Sequence, residues 1–284
     1  MQARQGRGAS AEVGATDAVI WLADAFAEVA CSLATGAAGF RSLAAFWAEA
    51  SADLETVLAY QERFASGMDD KIRAAHLIAF YSHQFSLAAG AIYLVGGVVP
   101  EVTDLRFESH QRLVGGRKVE AGRFHFLARL PRAADEAAFT DADGVFHDSF
   151  IAQLKPVIAL IERRCGLSSR AQWRLAADGL AGAFLEIGRR RGAEADAMER
   201  ALAIVKRVGS PLYSRELCYE RVDATQGCGS GEEALSRTYR MRGGCCLYYR
   251  SDGGSYCDTC VLLEPELRRE RLRARLRDGR ALSD

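Results

Sequence analysis

Residues 243–260 read GGCCLYYRSDGGSYCDTC and contain four of the eight cysteines in this chain of 284 residues. Cys245 and Cys246 are adjacent, whereas Cys257 and Cys260 form a C-x-x-C pair. Regular periodicity fades after Pro211 and glycines recur from there to the last cysteine pair, so residues 211–260 are predicted to be irregular, and long irregular segments of a compact protein are usually functional. Four thiols this close in sequence can hold a zinc ion or an iron–sulfur cluster.

The spacing of these cysteines favours a cluster with two metal ions over a single zinc ion. Zinc ribbons usually present two separated C-x₂-C pairs around one tetrahedral ion. Side chains of neighbouring residues diverge, so Cys245 and Cys246 would strain the backbone if both bound one small ion. A [2Fe–2S] cluster contains two irons, each with two terminal ligands, and accepts diverging thiolates more easily. A structural zinc site with four cysteine ligands stays the alternative.

The double cysteine, the LYYR step from Leu247 to Arg250, the glycine turn and the C-x-x-C together resemble a known motif. It is the C-terminal [2Fe–2S] motif of the FhuF-like ferric-siderophore reductases. The segment containing Trp173 is also similar to that family, whereas the likeness over about the first 140 residues is limited to length and helical character. The resemblance implies four cluster ligands and no catalytic residue beyond the cluster. These ligands are Cys245, Cys246, Cys257 and Cys260.

The resemblance also implies a reaction, the one-electron reduction of siderophore-bound Fe³⁺ to Fe²⁺, which releases the iron. Siderophores are hard oxygen chelators that hold Fe²⁺ far more weakly than Fe³⁺, so one electron frees the metal without destroying the chelator. Two other function classes remain open. One is a siderophore- or metal-binding module with a structural zinc site, and the other is a plain electron carrier without a substrate pocket.

The electrons are expected to come from another protein. The glycine-rich sequence GCGSGEEA at residues 227–234 lacks both the preceding strand and the G-x-G-x-x-G spacing of a dinucleotide site. We therefore expect a ferredoxin or a flavoprotein reductase as the donor. The arginine-rich helix predicted at residues 264–278 could be the docking face for such an acidic partner, or an ordinary solvated surface.

Four residues are candidate substrate contacts. Arg242 and Arg250 flank the double cysteine, and Trp173 and Arg174 lie in the helical segment that shares the family likeness. Arginine side chains bind anionic oxygen ligands well, so these residues could line a pocket for an anionic ferric chelate. The ordinary interpretation is surface charge for the arginines and core packing for Trp173.

The whole sequence predicts a mainly α protein with a small antiparallel β element, an α+β fold. Apolar periodicity predicts helices, and the Gly115-Gly116 pair within a run of β-branched and aromatic residues predicts a short antiparallel hairpin or meander at 101–130. One later helix is expected to be kinked at Pro156 or to start there. The predicted helices cover residues 16–34, 42–65, 69–89, 147–166, 168–192, 195–209 and 264–278.

These elements suggest four regions and a cytoplasmic location. The basic start of the chain has no apolar core behind it, and the longest apolar stretch, residues 76–100, is interrupted by polar and small residues. We therefore expect no export signal and no transmembrane segment, and the zero net charge gives no indication of nucleic-acid binding. The regions are a flexible arm at 1–15, an N-terminal helical region with a small β element at 16–140, a C-terminal helical region at 141–240, and the [2Fe–2S] loop with its basic helix at 241–284.

Overall fold

The computed structural model describes residues 2–34, 36–131, 141–226 and 233–278. The described chain is mainly helical with two small sheets, which confirms the predicted fold class. The helices are α1 Gln2–Ala25, α2 Leu43–Phe46, α3 Ala52–Gln61, α4 Asp70–Gly96, α5 Ala142–Cys165, α6 Ser169–Arg191, α7 Glu194–Val205 and α8 Pro265–Arg277. The strands are β1 Ala30–Leu33, β2 Arg41–Ser42, β3 Glu101–Val114, β4 Arg117–Arg129, β5 Cys218–Gln226 and β6 Glu233–Met241.

Helix α4 is the central helix of the core; it starts where the sequence predicts, but it runs to Gly96, beyond the predicted end at residue 89. The Asp69 side chain caps the start by accepting a hydrogen bond from the Ile72 N–H at 2.8 Å. Gly97 ends the helix with a left-handed φ of 73°. Helix α6 packs closely against α4, since a Cβ on Gly179 would lie 2.9 Å from the backbone nitrogen of His83.

Helices α4 and α5 both have the length and hydropathy that a membrane crossing would need. In α4, 72% of the most apolar window is buried inside the protein, compared with 44% in α5. Helix α4 is therefore the buried core helix that the sequence predicts. The expectation that the chain has no transmembrane segment stays a prediction.

The larger sheet has the strand order β1-β4-β3-β2. The predicted hairpin forms its centre, because Gly115 and Gly116 adopt φ values of 56° and 79° in a two-residue turn between β3 and β4. Strand β1 pairs in parallel with β4, so the prediction of a helix through residues 30–34 is wrong. The free edge of β4 offers this segment backbone hydrogen bonds, and tertiary pairing overrides its helical spacing.

Other helix boundaries also differ from the sequence prediction. The predicted helix at 42–65 is divided, because Ser51 caps a new helix by accepting a hydrogen bond from the Asp53 N–H at 3.2 Å. Helix α5 begins at Ala142 and runs through Pro156, so a start at that proline is wrong. Helix α1 begins at Gln2, so residues 2–15, predicted as a flexible arm, are helical here.

The smaller sheet lies in a segment that the sequence suggests is irregular. Strands β5 and β6 form an antiparallel hairpin within residues 211–260. Val222, Tyr239 and Met241 are buried on one face of this hairpin together with Leu272 of α8, and they form a second small core. The hairpin therefore also occupies part of the predicted helical region 141–240, while the division into four regions stays a prediction.

Candidate metal centre

The four clustered cysteines come together in the loop between β6 and α8. Charge on Cys246 or Cys260 raises the pKa of both Cys245 and Cys257, so the four thiols lie near one another. We call this group the thiol ring; Cys260 is buried and the other three are partly exposed. No group of three or more His, Cys, Asp or Glu side chains within the described residues already has the geometry of a metal-ion site.

Each sulfur of this thiol ring accepts a hydrogen bond from the loop itself or from the residues beside it. Hydrogen bonds of this kind stabilise thiolates and tune the reduction potential of an iron–sulfur cluster. Three donors are backbone N–H groups and the fourth is a guanidinium. They are Leu247 N to Cys245 Sγ at 3.4 Å, Leu262 N to Cys260 Sγ at 3.4 Å, Arg242 Nη1 to Cys257 Sγ at 3.7 Å, and the Tyr248 backbone to Cys246.

Leu247 has a backbone conformation that explains how two adjacent cysteines fit into one ring. Its φ is 62°, and it is the single non-glycine residue with a positive φ in the described part of the chain. A left-handed conformation is strained for a leucine and concentrates at functional sites. Here it turns the chain immediately after Cys246 and directs the Leu247 N–H back to Cys245.

The surroundings of the thiol ring favour negative charge on one sulfur, that of Cys246, whereas burial raises the pKa of Cys245. A hydrogen bond from Cys257 lowers the pKa of Cys246 and raises that of Cys257, and the side chains of His76 and Arg242 also help to lower the pKa of Cys246. Burial lowers the pKa of Arg242, but Cys246, Cys257 and Asp178 together raise it overall. Metal ligation requires deprotonated thiols, and the lowered pKa of Cys246 beside the positive charge of Arg242 supplies one of the four.

Asp178 of α6 holds the start of the loop. Its buried carboxylate accepts hydrogen bonds from Gly243 N at 2.8 Å and Gly244 N at 2.9 Å, and its Oδ2 lies 3.7 Å from Arg242 Nε. A Cβ on Gly244 would lie 2.9 Å from the backbone nitrogen of Leu175, so the glycine allows the loop to lie directly on α6. Burial raises the pKa of Asp178, and the neighbouring arginines and the two N–H groups act in the opposite direction.

Two further contacts hold the far side of the loop. The Asp252 N–H donates a hydrogen bond to the Ser66 carbonyl at 3.0 Å, which joins the loop to the segment before α4. Arg271 of α8 donates a hydrogen bond to the Tyr256 carbonyl at 3.1 Å. The cysteines are therefore positioned by three separate parts of the fold.

Arg242 and Arg250, two of the predicted substrate contacts, have different environments. Arg242 is buried and its guanidinium faces Cys257 and Asp178, so it lies against the thiol ring rather than in an open pocket. Arg250 is 42% exposed and forms a 2.7 Å ion pair with Asp69 at the start of α4. A substrate role for either arginine stays a prediction.

Trp173 and Arg174, the other two, lie on α6 beneath the loop. Trp173 is 8% exposed and belongs to the main core, which is the ordinary interpretation given above. The Arg174 Nη2 atom lies 3.9 Å from a Glu216 carboxylate oxygen. Their substrate roles also stay predictions.

Sequence reasoning missed two residues at this site, Asp178 and His76. Asp178 interrupts the small-residue stretch RLAADGLAGA, and an acidic residue inside such a buried helix face is a detectable indication of a specific partner. His76 of α4 contacts Cys246, and its ring centroid lies 5.9 Å from that of Tyr248. Of the remaining cysteines near the loop, Cys218 is exposed at the start of β5, and Cys228 lies outside the described residues.

Comparison with known families bears directly on this loop. Residues 242–262 match the family model of the FhuF 2Fe-2S C-terminal domain. The matched segment contains all four clustered cysteines, and it confirms the likeness to the FhuF-like family that the motif predicts. A domain of this description implies an iron–sulfur redox protein. No curated protein matches the chain.

Proposed function

We propose that this protein is a ferric-siderophore reductase that releases iron in the cytoplasm. Each turnover transfers one electron to a siderophore-bound Fe³⁺ ion, which leaves as Fe²⁺, while an electron donor is oxidised by one electron. The observation that carries the proposal is the ring of four thiols, each with a hydrogen-bond donor, in the segment that matches a 2Fe-2S domain.

The residues of the ring fit an iron–sulfur group in number, chemistry and surroundings. Cys245, Cys246, Cys257 and Cys260 would hold a [2Fe–2S] cluster, which when bound supplies a one-electron redox couple. The chain itself provides the positive charge of Arg242 and three backbone N–H groups toward the sulfurs. These donors offset the negative charge that four thiolates bring into a partly buried site.

The chain also controls access to the ring. Cys260 is 4% exposed, so its side of the ring is closed to water, whereas Tyr249 and Tyr256 are exposed and their ring centroids lie 4.8 Å apart. This aromatic pair partly shields the loop and also offers an apolar surface to an incoming molecule. A chelate or a redox protein can therefore approach the ring without opening the core.

The electron donor in this proposal is an acidic ferredoxin or a flavoprotein reductase. Arg271 connects α8 to the carbonyl of Tyr256, so the arginine-rich helix adjoins the loop. A positive surface beside a partly exposed aromatic pair suits an acidic partner, whose association should weaken as the salt concentration rises.

The test is spectroscopic and uses anaerobically purified protein. Absorption and EPR spectra are recorded before and after dithionite, and a ferric siderophore is then added to the reduced protein. The proposal expects a reducible two-iron spectrum and a reduced signal that disappears as Fe²⁺ forms. A colourless protein that contains zinc, and binds no iron even after reconstitution, would refute it. A reducible cluster that no ferric chelate can oxidise would instead indicate a plain electron carrier.

A further inference from the structure

A pocket of about 200 Å³ lies beside the cysteine loop, between the second half of α6 and strand β6. We propose that this pocket binds the carboxylate groups of an anionic ferric chelate. The inference rests on the proposed function and names its substrate class. The charged residues that line the pocket are Glu186, Arg189, Arg190, Arg237 and Arg240, and Thr259 of the cysteine loop is among its polar lining residues.

Thr259 connects this pocket to the thiol ring. It precedes Cys260 directly, and the Cα atoms of consecutive residues are about 3.8 Å apart. Thr259 is 4% exposed, and its carbonyl accepts a hydrogen bond from the Arg242 N–H at 3.2 Å. A chelate bound here would therefore rest against the same backbone segment that carries the ring.

The pocket has an excess of positive charge. Four guanidinium groups line it, and Glu186 is the one carboxylate among the lining residues that the structure describes. Arg190 donates to the carbonyl of Ala25 and lies 4.2 Å from the Phe26 ring centroid, so neither contact neutralises its charge. Arg189 donates a hydrogen bond to the carbonyl of Thr238 at 2.8 Å and forms an ion pair with Glu194 at 3.4 Å, which offsets part of its charge.

Arg237 is the residue best placed to bind an added anion. Its Nε atom is buried and has no hydrogen-bond partner among the described residues, and its guanidinium carbon lies 5.8 Å from the Tyr239 ring centroid. An arginine N–H in this situation gains most from a carboxylate, because the planar guanidinium binds both carboxylate oxygens at once.

The size and charge of the pocket define which chelates it favours. A volume of about 200 Å³ is below the usual range for a whole drug-sized ligand, so the pocket takes the acidic groups of a chelate while the rest stays outside. A cationic hydroxamate chelate offers no carboxylate and is repelled by the four arginines. The structure thus favours a carboxylate-type substrate over a cationic hydroxamate.

The experiment measures binding separately from reduction. Gallium(III) citrate, which is anionic and redox-inert, is titrated into the cluster-loaded protein by calorimetry, and the reduction of ferric citrate and of ferrioxamine B is measured in parallel. In Arg237→Gln we expect the Kd for gallium citrate to rise about tenfold or more, because one charge-assisted hydrogen bond is lost. The KM for ferric citrate should rise by a similar factor, while the KM for the cationic ferrioxamine B should not rise, because one repelling charge is removed.

Arg221→Gln is the matched control, because Arg221 is 73% exposed on the neighbouring strand β5 and pairs with Asp223. It should bind gallium citrate like the native protein. Arg190→Gln is the second test variant if Arg237→Gln loses its iron or its helical circular dichroism. Native affinity in both pocket variants, or an equal loss in the control, would overturn the inference.

Two further outcomes separate this inference from the proposed function. Arginine-dependent binding of gallium citrate to a protein that reduces no ferric chelate would support the pocket and refute the reductase. Rapid reduction of ferric citrate with the same KM in all variants would support the reductase and refute the pocket. Metal-free citrate that binds as tightly as gallium citrate without inhibiting reduction would also overturn the inference.

Discussion

Replacing Asp178 with alanine is expected to destabilise the protein and to loosen the cysteine loop. Asp178 is 1% exposed and accepts hydrogen bonds from the backbone N–H groups of Gly243 and Gly244. Each buried N–H group left without an acceptor costs about 1–3 kcal/mol. The substitution also removes the carboxylate beside the buried guanidinium of Arg242, and loss of one partner from such a pair costs about 3–5 kcal/mol.

These costs overlap, because the loop can move and expose some of the same groups to water. We therefore expect the free energy of unfolding to fall by about 3–5 kcal/mol, a large part of the typical total of about 5–15 kcal/mol. Asp178→Asn keeps one carbonyl acceptor for one of the two glycine N–H groups. It should therefore lose less stability than the alanine variant and retain more iron.

The assay is anaerobic urea denaturation followed by far-UV circular dichroism, with iron and sulfide contents measured on the same preparations. Asp223→Ala is the control, because Asp223 is 72% exposed and pairs loosely with Arg221 at 3.3 Å. The control should keep its stability and its metal content. An Asp178→Ala protein with the native unfolding midpoint and full iron content would refute the role assigned to this carboxylate.

Three other predictions follow from the packing, the charges and the thiol ring. Gly179→Ala should lower the free energy of unfolding by about 1–3 kcal/mol, because the new Cβ would lie 2.3 Å from Ser82 Oγ. This steric cost outweighs the higher helix propensity of alanine, and an increase in the thermal midpoint would contradict the prediction. Burial raises the pKa of Glu108, but two neighbouring arginines hold it below its usual value of 4.5. The ionised carboxylate therefore stabilises the fold above about pH 4.5, and this stabilisation is lost as the pH falls through the folded-state pKa. Glu108→Gln should therefore flatten the acid side of a stability-against-pH curve, and an unchanged acid side would rule this out. Cys257→Ser should lose most of the bound iron after reconstitution while the exposed Cys218→Ser keeps it, and equal iron in both would remove Cys257 from the ligand set.

The features that the sequence predicts correctly are those that depend on neighbouring residues. The helix start at Asp69 and the turn at Gly115 and Gly116 are decided within a few residues, and the structure confirms them. The cysteine loop is recognisable for the same reason, since all four thiols lie within one short segment. Local chemistry is sufficient in these cases, because no distant part of the chain has to be known.

The features that the sequence does not predict depend on tertiary contacts. Strand β1 forms because the edge of β4 is available, and the pairing of Ala30 with His125 joins residues far apart in the chain. The contact of His76 with Cys246 and the hydrogen bonds of Asp178 to the loop arise only once α4, α6 and the loop have met. Hydrophobic periodicity describes one helix or strand at a time and gives no information on contacts between distant parts of the chain.

The hydrogen bonds from Gly243 and Gly244 to Asp178 have a consequence for the folding of the newly made chain. Helices α4 and α6 are synthesised before the loop, so they can pack against each other while the cysteines are still inside the ribosome. The loop then emerges next to a carboxylate that is already in place to receive its two glycine N–H groups. We expect this order to shorten the time in which four bare thiols are exposed to oxidation before they take up their metal.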